Sequence, residues 1–141
     1  MEADERFPSG PWVGFWLQRP LSGRQWMRDI HLRFAGGKVS GFGQDWVGEF
    51  SMQGRYELET GKVVIHKHYV GSHTVTYEGR NENDGKWVWG VWTLRQVIGG
   101  AERGGFHLWP KGEGDPTVPK LEAEEDLPVE ERVLVGVGEG D

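Results

Sequence analysis

Asp45, Lys67, Tyr69, His73 and Tyr77 are the residues of this 141-residue chain whose types and spacing could carry chemistry. Each falls on the alternating register of its segment's apolar positions: Asp45 follows Gly43, Lys67 and Tyr69 follow Ile65, and His73 and Tyr77 flank Val75. In a strand, residues i, i+2 and i+4 share one face, so the core-facing register turns polar at the strand ends. In an up-and-down meander alternate strand ends meet, which would gather a carboxylate, an ammonium, an imidazole and two phenols over an apolar floor of Trp89, Met52 and Phe50. Pockets that select a small organic ligand are built in this way. Lys67 would then bind an anionic group, Asp45 would orient it or accept a proton, and His73 would titrate near neutral pH. The same residues also fit a closed network in which Asp45 pairs with Lys67 and the tyrosine hydroxyls find backbone partners, because buried charges are kept only with partners.

His73, Asp45 and Tyr77 are also residue types of general acid–base catalysis. Isomerase, cyclase or hydratase chemistry would be its natural form, since the chain shows neither a nucleotide loop nor a nucleophile motif. His66 and His68 share the outer face of one strand and could chelate a metal, with His31 or His107 as a third ligand. Solvated histidines are the preferred reading, and no metal is assigned. No axial ligand for a haem can be nominated either, so no cofactor is expected.

The elements that must position these side chains are strands. With 23 glycines and 8 tryptophans, the composition disfavours helix and suits a pleated, half-buried surface. Apolar residues recur at every second position from Trp12 onwards, with no sustained helical period before Pro110. Eight strands are expected: Trp12–Gln18, Gln25–Phe34, Lys38–Gln44, Glu49–Leu58, Lys62–Tyr69, His73–Arg80, Lys86–Leu94 and Gly104–Pro110. Short turns such as Ala35-Gly36-Gly37, Glu59-Thr60-Gly61 and Val70-Gly71-Ser72 make neighbours antiparallel. Asn81–Gly85 and Arg95–Arg103 are longer connections. The fold class is therefore all-β, an antiparallel up-and-down meander closing into a barrel of about eight strands. Its interior is expected to contain Ile30, Leu32, Phe34, Val39, Phe50, Met52, Tyr56, Val63, Ile65 and Val75, with Trp87, Trp89, Val91, Phe106 and Leu108. Gly41, Gly43 and Gly54 share that face, for curvature or for close approach of a ligand.

The chain divides into a flexible N-terminus (1–10), the barrel (11–110) and an acidic, largely disordered tail (111–141), in which Val133–Val137 is the one apolar run. The tail holds ten of the 22 acids and three of the 16 bases, a net −7, leaving residues 1–110 at +1 with 13 bases and 12 acids. A nearly neutral folded part without a Lys/Arg run argues against nucleic acid. Cysteine is absent, excluding a disulfide framework and a thiol nucleophile. The charged start lacks an apolar signal region, and no stretch is long enough to cross a bilayer as a helix. A cytoplasmic protein without a membrane partner is expected.

Gly10-Pro11-Trp12 and Gly14-Phe15-Trp16 carry a Gly-x-Trp signal that resembles the opening strand of calycin barrels, the lipocalins, fatty-acid-binding proteins and avidins. The resemblance implies that Trp12 or Trp16 plugs one barrel end and that a small, often apolar molecule binds in the mouth. Gly54-Arg55-Tyr56 is similar to the Gly-x-Tyr of an avidin strand, but the avidin set of biotin-contacting residues is not identified, and biotin binding is not carried over. Gly41–Asp45 with Gly48–Phe50, and Lys67–Gly79, resemble a theme in uncharacterised bacterial barrel-like proteins, which implies no activity.

Phe42, Val64, Val88, Trp92, Leu94 and Trp109 are apolar residues on the outward register. Exposed aromatic clusters mark interfaces, so Trp92, Trp109 and Phe42 are expected to form a homodimer or partner surface, or to pack beneath the Arg95–Arg103 loop. Three readings result: a small-molecule-binding barrel, which is preferred; an interaction module using the outer aromatics and acidic tail; and a small barrel enzyme.

Overall fold

The computed structural model describes residues 1–81, 87–95 and 101–117. Eight strands follow one another: β1 (Gly10–Trp16), β2 (Gln25–Ala35), β3 (Lys38–Asp45), β4 (Gly48–Tyr56), β5 (Lys62–Tyr69), β6 (Thr74–Asn81), β7 (Val88–Arg95) and β8 (Ala101–Pro110). Each pairs antiparallel with the next, and β8 returns to β1 through Trp12–Pro110 to Trp16–Phe106, closing the barrel. Closure leaves no unpaired edge. This is the up-and-down barrel expected from the alternation, and its architecture agrees with calycin-like barrels in general.

Local chemistry sets the turns. Gly36 and Gly37 have φ of 57° and 80°, the two positive values that a two-residue hairpin between Ala35 and Lys38 requires. The Asp45 carboxylate accepts a hydrogen bond from the Val47 amide at 3.0 Å, an Asx turn that carries β3 into β4. In β2, Asp29 adopts φ 54° where the pairing with β3 slips between Arg28 and His31. This bulge shifts the parity, so Met27 and Ile30 both point inward. Gly41 and Gly54 serve curvature: a Cβ at Gly41 would strike the His31 carbonyl oxygen, and one at Gly54 the Val64 carbonyl oxygen. Neighbouring strands fill that space.

Strand β7 is the exception to the expected faces. Trp89 and Val91 are exposed, Trp87 is only partly buried, and Val88 and Trp92 are inside. Both registers of β7 are apolar, so alternation alone cannot choose between them, and a one-residue shift exchanges the faces. Pairing decides: Trp92 lies opposite Tyr77 and Val88 opposite Leu108, both core residues. Gly90, between them, meets Gly79 so closely that a Cβ would strike the Glu78 carbonyl oxygen.

The barrel has a plugged end and an open end. Residues 1–10, expected to be flexible, instead pack against the plugged end. Phe7 is fully buried, with its ring 4.8 Å from Tyr56 and 5.4 Å from Phe34. The Tyr56 hydroxyl donates to Glu2 (2.6 Å), and the Asn81 amide donates to the Arg6 carbonyl (2.8 Å). Residues 111–117 are also placed, with Asp115 paired to Arg24 at 3.3 Å. The rest of the expected tail, Val133–Val137 included, lies outside the described residues, as do residues 82–86 and 96–100 of the two longer connections.

Candidate functional site

Three strands deliver four of the expected polar residues to one point below the open end. Asp45 ends β3, Lys67 and Tyr69 lie near the end of β5, and Tyr77 is on β6, all with side chains inward. Lys67 Nζ donates to Asp45 Oδ2 at 2.8 Å and to the Tyr77 hydroxyl at 3.1 Å, and lies 3.4 Å from Met27 Sδ. The same carboxylate oxygen accepts from the Tyr69 hydroxyl (2.7 Å) and from Trp16 Nε1 (3.1 Å). With the Val47 amide on Oδ1, four donors converge on one carboxylate. Aromatic faces complete the cage: Lys67 Nζ is 4.3 Å from the Phe50 ring centre and 4.7 Å from that of Tyr69, distances suited to cation–π attraction.

Burial and pairing compete in this network. Burial pulls the Lys67 ammonium down to about 8, with the neighbouring Asp45 charge and hydrogen bond offsetting part of the effect. For Asp45 burial acts to raise the pKa, but Lys67, Tyr69 and Trp16 outweigh it and hold the carboxyl below its ordinary value. Tyr69 and Tyr77 are pushed well above the usual phenol range, chiefly by burial and then by the Asp45 charge. At neutral pH the network is thus a charged pair flanked by two neutral phenols.

Above it opens a cavity of about 290 Å³ lined by Trp16, Trp46, Tyr69, Tyr77, Trp92 and Leu94, with Gln18, Val47, His73 and Val75 completing the wall. Trp46 stands 64% exposed at the rim, its ring centre 6.1 Å from that of Trp16, and donates to Gln25 at 2.9 Å. Trp92 is held upright by a hydrogen bond from Nε1 to the Leu17 carbonyl (2.9 Å). The walls are aromatic and tethered, a combination that suits a flat apolar guest.

No protein-family model, curated protein or solved structure matches the chain.

The arrangement corrects the expected site in three respects. Trp89 does not floor the pocket: it is 42% exposed on the outer face, in line with Trp87 and His107. Trp92 is not an outward interface residue but a cavity wall, 4% exposed. Lys67 and Asp45 converge as expected, but they face each other and do not line the cavity. Tyr69, Tyr77 and His73 do line it; His73 sits in the exposed turn after β5, its ring 5.0 Å from that of Tyr69, with Nδ1 bonded to Ser72.

Trp109 is on the outer face but almost covered, with its ring 6.0 Å from those of Phe15 and Trp26. Phe42, 58% exposed, stacks on His31 of β2. His66 and His68, on the outside of β5, lie against Thr76 and Thr74. Sequence reasoning missed Trp46 and Leu94 as cavity residues and read Trp16 only as a plug. The usable signal was the parity that Trp16 shares with Gly14 and Trp12.

Proposed function

We propose that this protein binds a small, flat, largely apolar organic molecule in the open mouth of its barrel. The observation that carries this reading is the aromatic cavity above a polar floor whose members are already hydrogen-bonded to one another. A floor satisfied in this way cannot close over the space without breaking charged hydrogen bonds, so the recess persists. The cavity is at the small end of ligand sites, which favours a guest of one to three fused rings. Its rim carries Gln18, whose amide nitrogen donates to Glu102, and His73, whose Nδ1 is bonded to Ser72, so recognition rests on shape and ring stacking more than on charge. Calycin barrels, which the chain resembles in architecture, commonly bind small, often apolar molecules in the barrel mouth, which supports the reading by fold analogy alone.

The enzyme reading is less favoured, because both Asp45 oxygens are taken by four donors and the carboxylate does not reach the cavity. The interaction reading keeps one specific observation. Trp26, Phe15, His107 and Trp89 run as a ladder of rings across the outer face, Trp26 and Trp89 each more than 40% exposed.

The test is titration with 1-aminoanthracene, whose emission rises in an apolar site, followed by displacement with indole, 1-naphthol and decanoate. Saturable enhancement is expected, with displacement by the aromatic competitors before decanoate, and its loss in Val75→Trp, which fills the recess. Enhancement that does not saturate, or that survives in a folded Val75→Trp protein, overturns the proposal.

A further inference from the structure

On the outside of the barrel, near the plugged end, β2 to β5 form a groove of about 770 Å³. Arg33, Lys38, Arg55 and Lys62 line it with His66, and Glu57 is the one acid among its described lining residues. None of the four cations has an ion pair or hydrogen-bond partner among the described residues. Two of the strand pairings set like charges directly opposite: Lys38 against Arg55 across β3 and β4, and Lys62 against Arg80 across β5 and β6. Directly opposed like charges destabilise a sheet, so this face gains from an anion laid along it. Between the cations the groove is apolar, with Ala35, Val39 and Val64 in its wall.

The chain carries a segment of matching chemistry. Between Glu122 and Glu131 there are six acids and no base, interleaved with Leu127 and Val129. We propose that the Glu122–Glu131 run lies along its own barrel with its distal part docked in this groove, the carboxylates of Asp126, Glu130 and Glu131 on Arg33, Lys38, Arg55 and Lys62 and its two aliphatic side chains on the apolar wall. The split of charge along the chain, +1 before Lys111 and −7 from Lys111 onwards, is then an intramolecular match.

Chain length permits it. The described chain ends at Thr117, beside Asp115, which is paired to Arg24 just before β2. From Gln25 to Arg33 the strand rises about 27 Å, and the groove extends about 10 Å sideways across two strand spacings. Extended at about 3.3 Å per residue, the chain from Thr117 reaches about 30 Å at Asp126 and about 43 Å at Glu130, enough to lay Asp126–Glu131 across the cations.

Because the chain has no cysteine, a nitroxide on a single introduced cysteine, Val129→Cys, reports where this segment lies in the full-length protein. Paramagnetic broadening is expected to concentrate on the amide signals of Arg33, Ser40, Gln53 and Arg55, while β7 and β8 are spared. It should fall at least twofold in 0.5 M NaCl, where surface charges are screened, and in Lys38→Glu/Arg55→Glu. Broadening spread evenly over the barrel, or unchanged by salt and by charge reversal, overturns the proposal. A sample mixing isotope-labelled protein without nitroxide and unlabelled protein with it separates the occupants: broadening in the mixture alone assigns the groove to a second copy and refutes the intramolecular form. Tight binding of heparin to the groove, with no broadening before it is added, likewise refutes it in favour of an external polyanion.

Discussion

Replacing Lys67 by methionine tests whether the polar floor of the mouth is held by its ion pair. Methionine keeps most of the volume of the lysine stem, so packing against Phe50 and Met27 survives and the change is close to a pure loss of charge. Asp45 would then be a buried carboxylate facing three remaining donors, Tyr69, Trp16 and the Val47 amide. Removing one partner of a buried pair costs about 3–5 kcal/mol. The three surviving donors place Lys67→Met near the lower bound, about 3 kcal/mol. A domain of this kind has roughly 5–15 kcal/mol in total, so the variant should remain folded at 25 °C.

The pH dependence distinguishes this cause from a packing defect. Without the ammonium, burial dominates at Asp45 and raises its pKa, so the carboxyl accepts a proton more readily and the penalty shrinks as pH falls from 7 to 5. In Lys67→Met/Asp45→Asn neither charge is left unpaired, and the double variant should be more stable than Lys67→Met alone. Urea unfolding followed by tryptophan emission, at pH 5 and pH 7, measures all three proteins. A Lys67→Met loss under 1 kcal/mol, or one that is the same at both pH values, would refute the reasoning.

Tyr69→Phe removes one donor to the carboxylate and should cost about 1.5–3 kcal/mol, the range for hydrogen bonds to charged groups, read from the same urea transitions. Above pH 10 the wild-type protein should lose stability, because unfolding lets Tyr69 and Tyr77 ionise while the fold keeps both protonated; a urea midpoint that does not fall from pH 10 to 11 contradicts this. Phe7→Ala at the plugged end should cost about 3–5 kcal/mol, as for a fully buried phenylalanine. A loss below 1 kcal/mol by thermal or urea unfolding would show that the N-terminal segment does not contribute to the core.

Much of the barrel was legible because alternation and turn chemistry agree over most of the chain. Lys62–Tyr69 is a strand at the bounds read from its residues, and Val63, Ile65, Lys67 and Tyr69 face inward as their spacing requires. The convergence of Asp45, Lys67, Tyr69 and Tyr77 followed from the same parity and from the meander order. What alternation could not supply was the phase of β7, where Trp87, Trp89 and Val91 compete with Val88, Trp92 and Leu94 as an inner face. Nothing within that strand breaks the tie. It is broken by register with β6 and β8, a long-range property in which Gly90 must meet Gly79. The anchoring of Phe7 was missed for a related reason: a single aromatic among charged residues has no period, and its partners Phe34 and Tyr56 lie far along the chain.

The two ends of the barrel solve the same problem in opposite ways. At the plugged end Phe7, Trp12, Phe34 and Tyr56 fill the space between strands with rings, which is the cheaper course for a small domain. At the open end the chain keeps an ion pair that burial opposes on both sides and surrounds it with phenols, an indole and a thioether. Well-packed apolar residues in that position would often be as stable or more so. A network of that cost fixes the positions of Trp16, Tyr69 and Tyr77 at once, because each is tied to Asp45 or Lys67. Those three side chains are also walls of the cavity. Rigid walls lower the entropy that a guest would otherwise lose by ordering them, so under the proposed reading the feature that burdens the fold would prepare the mouth for a guest. It follows that Lys67→Met/Asp45→Asn should retain the barrel yet bind 1-aminoanthracene more weakly than the wild type, although neither residue touches the cavity.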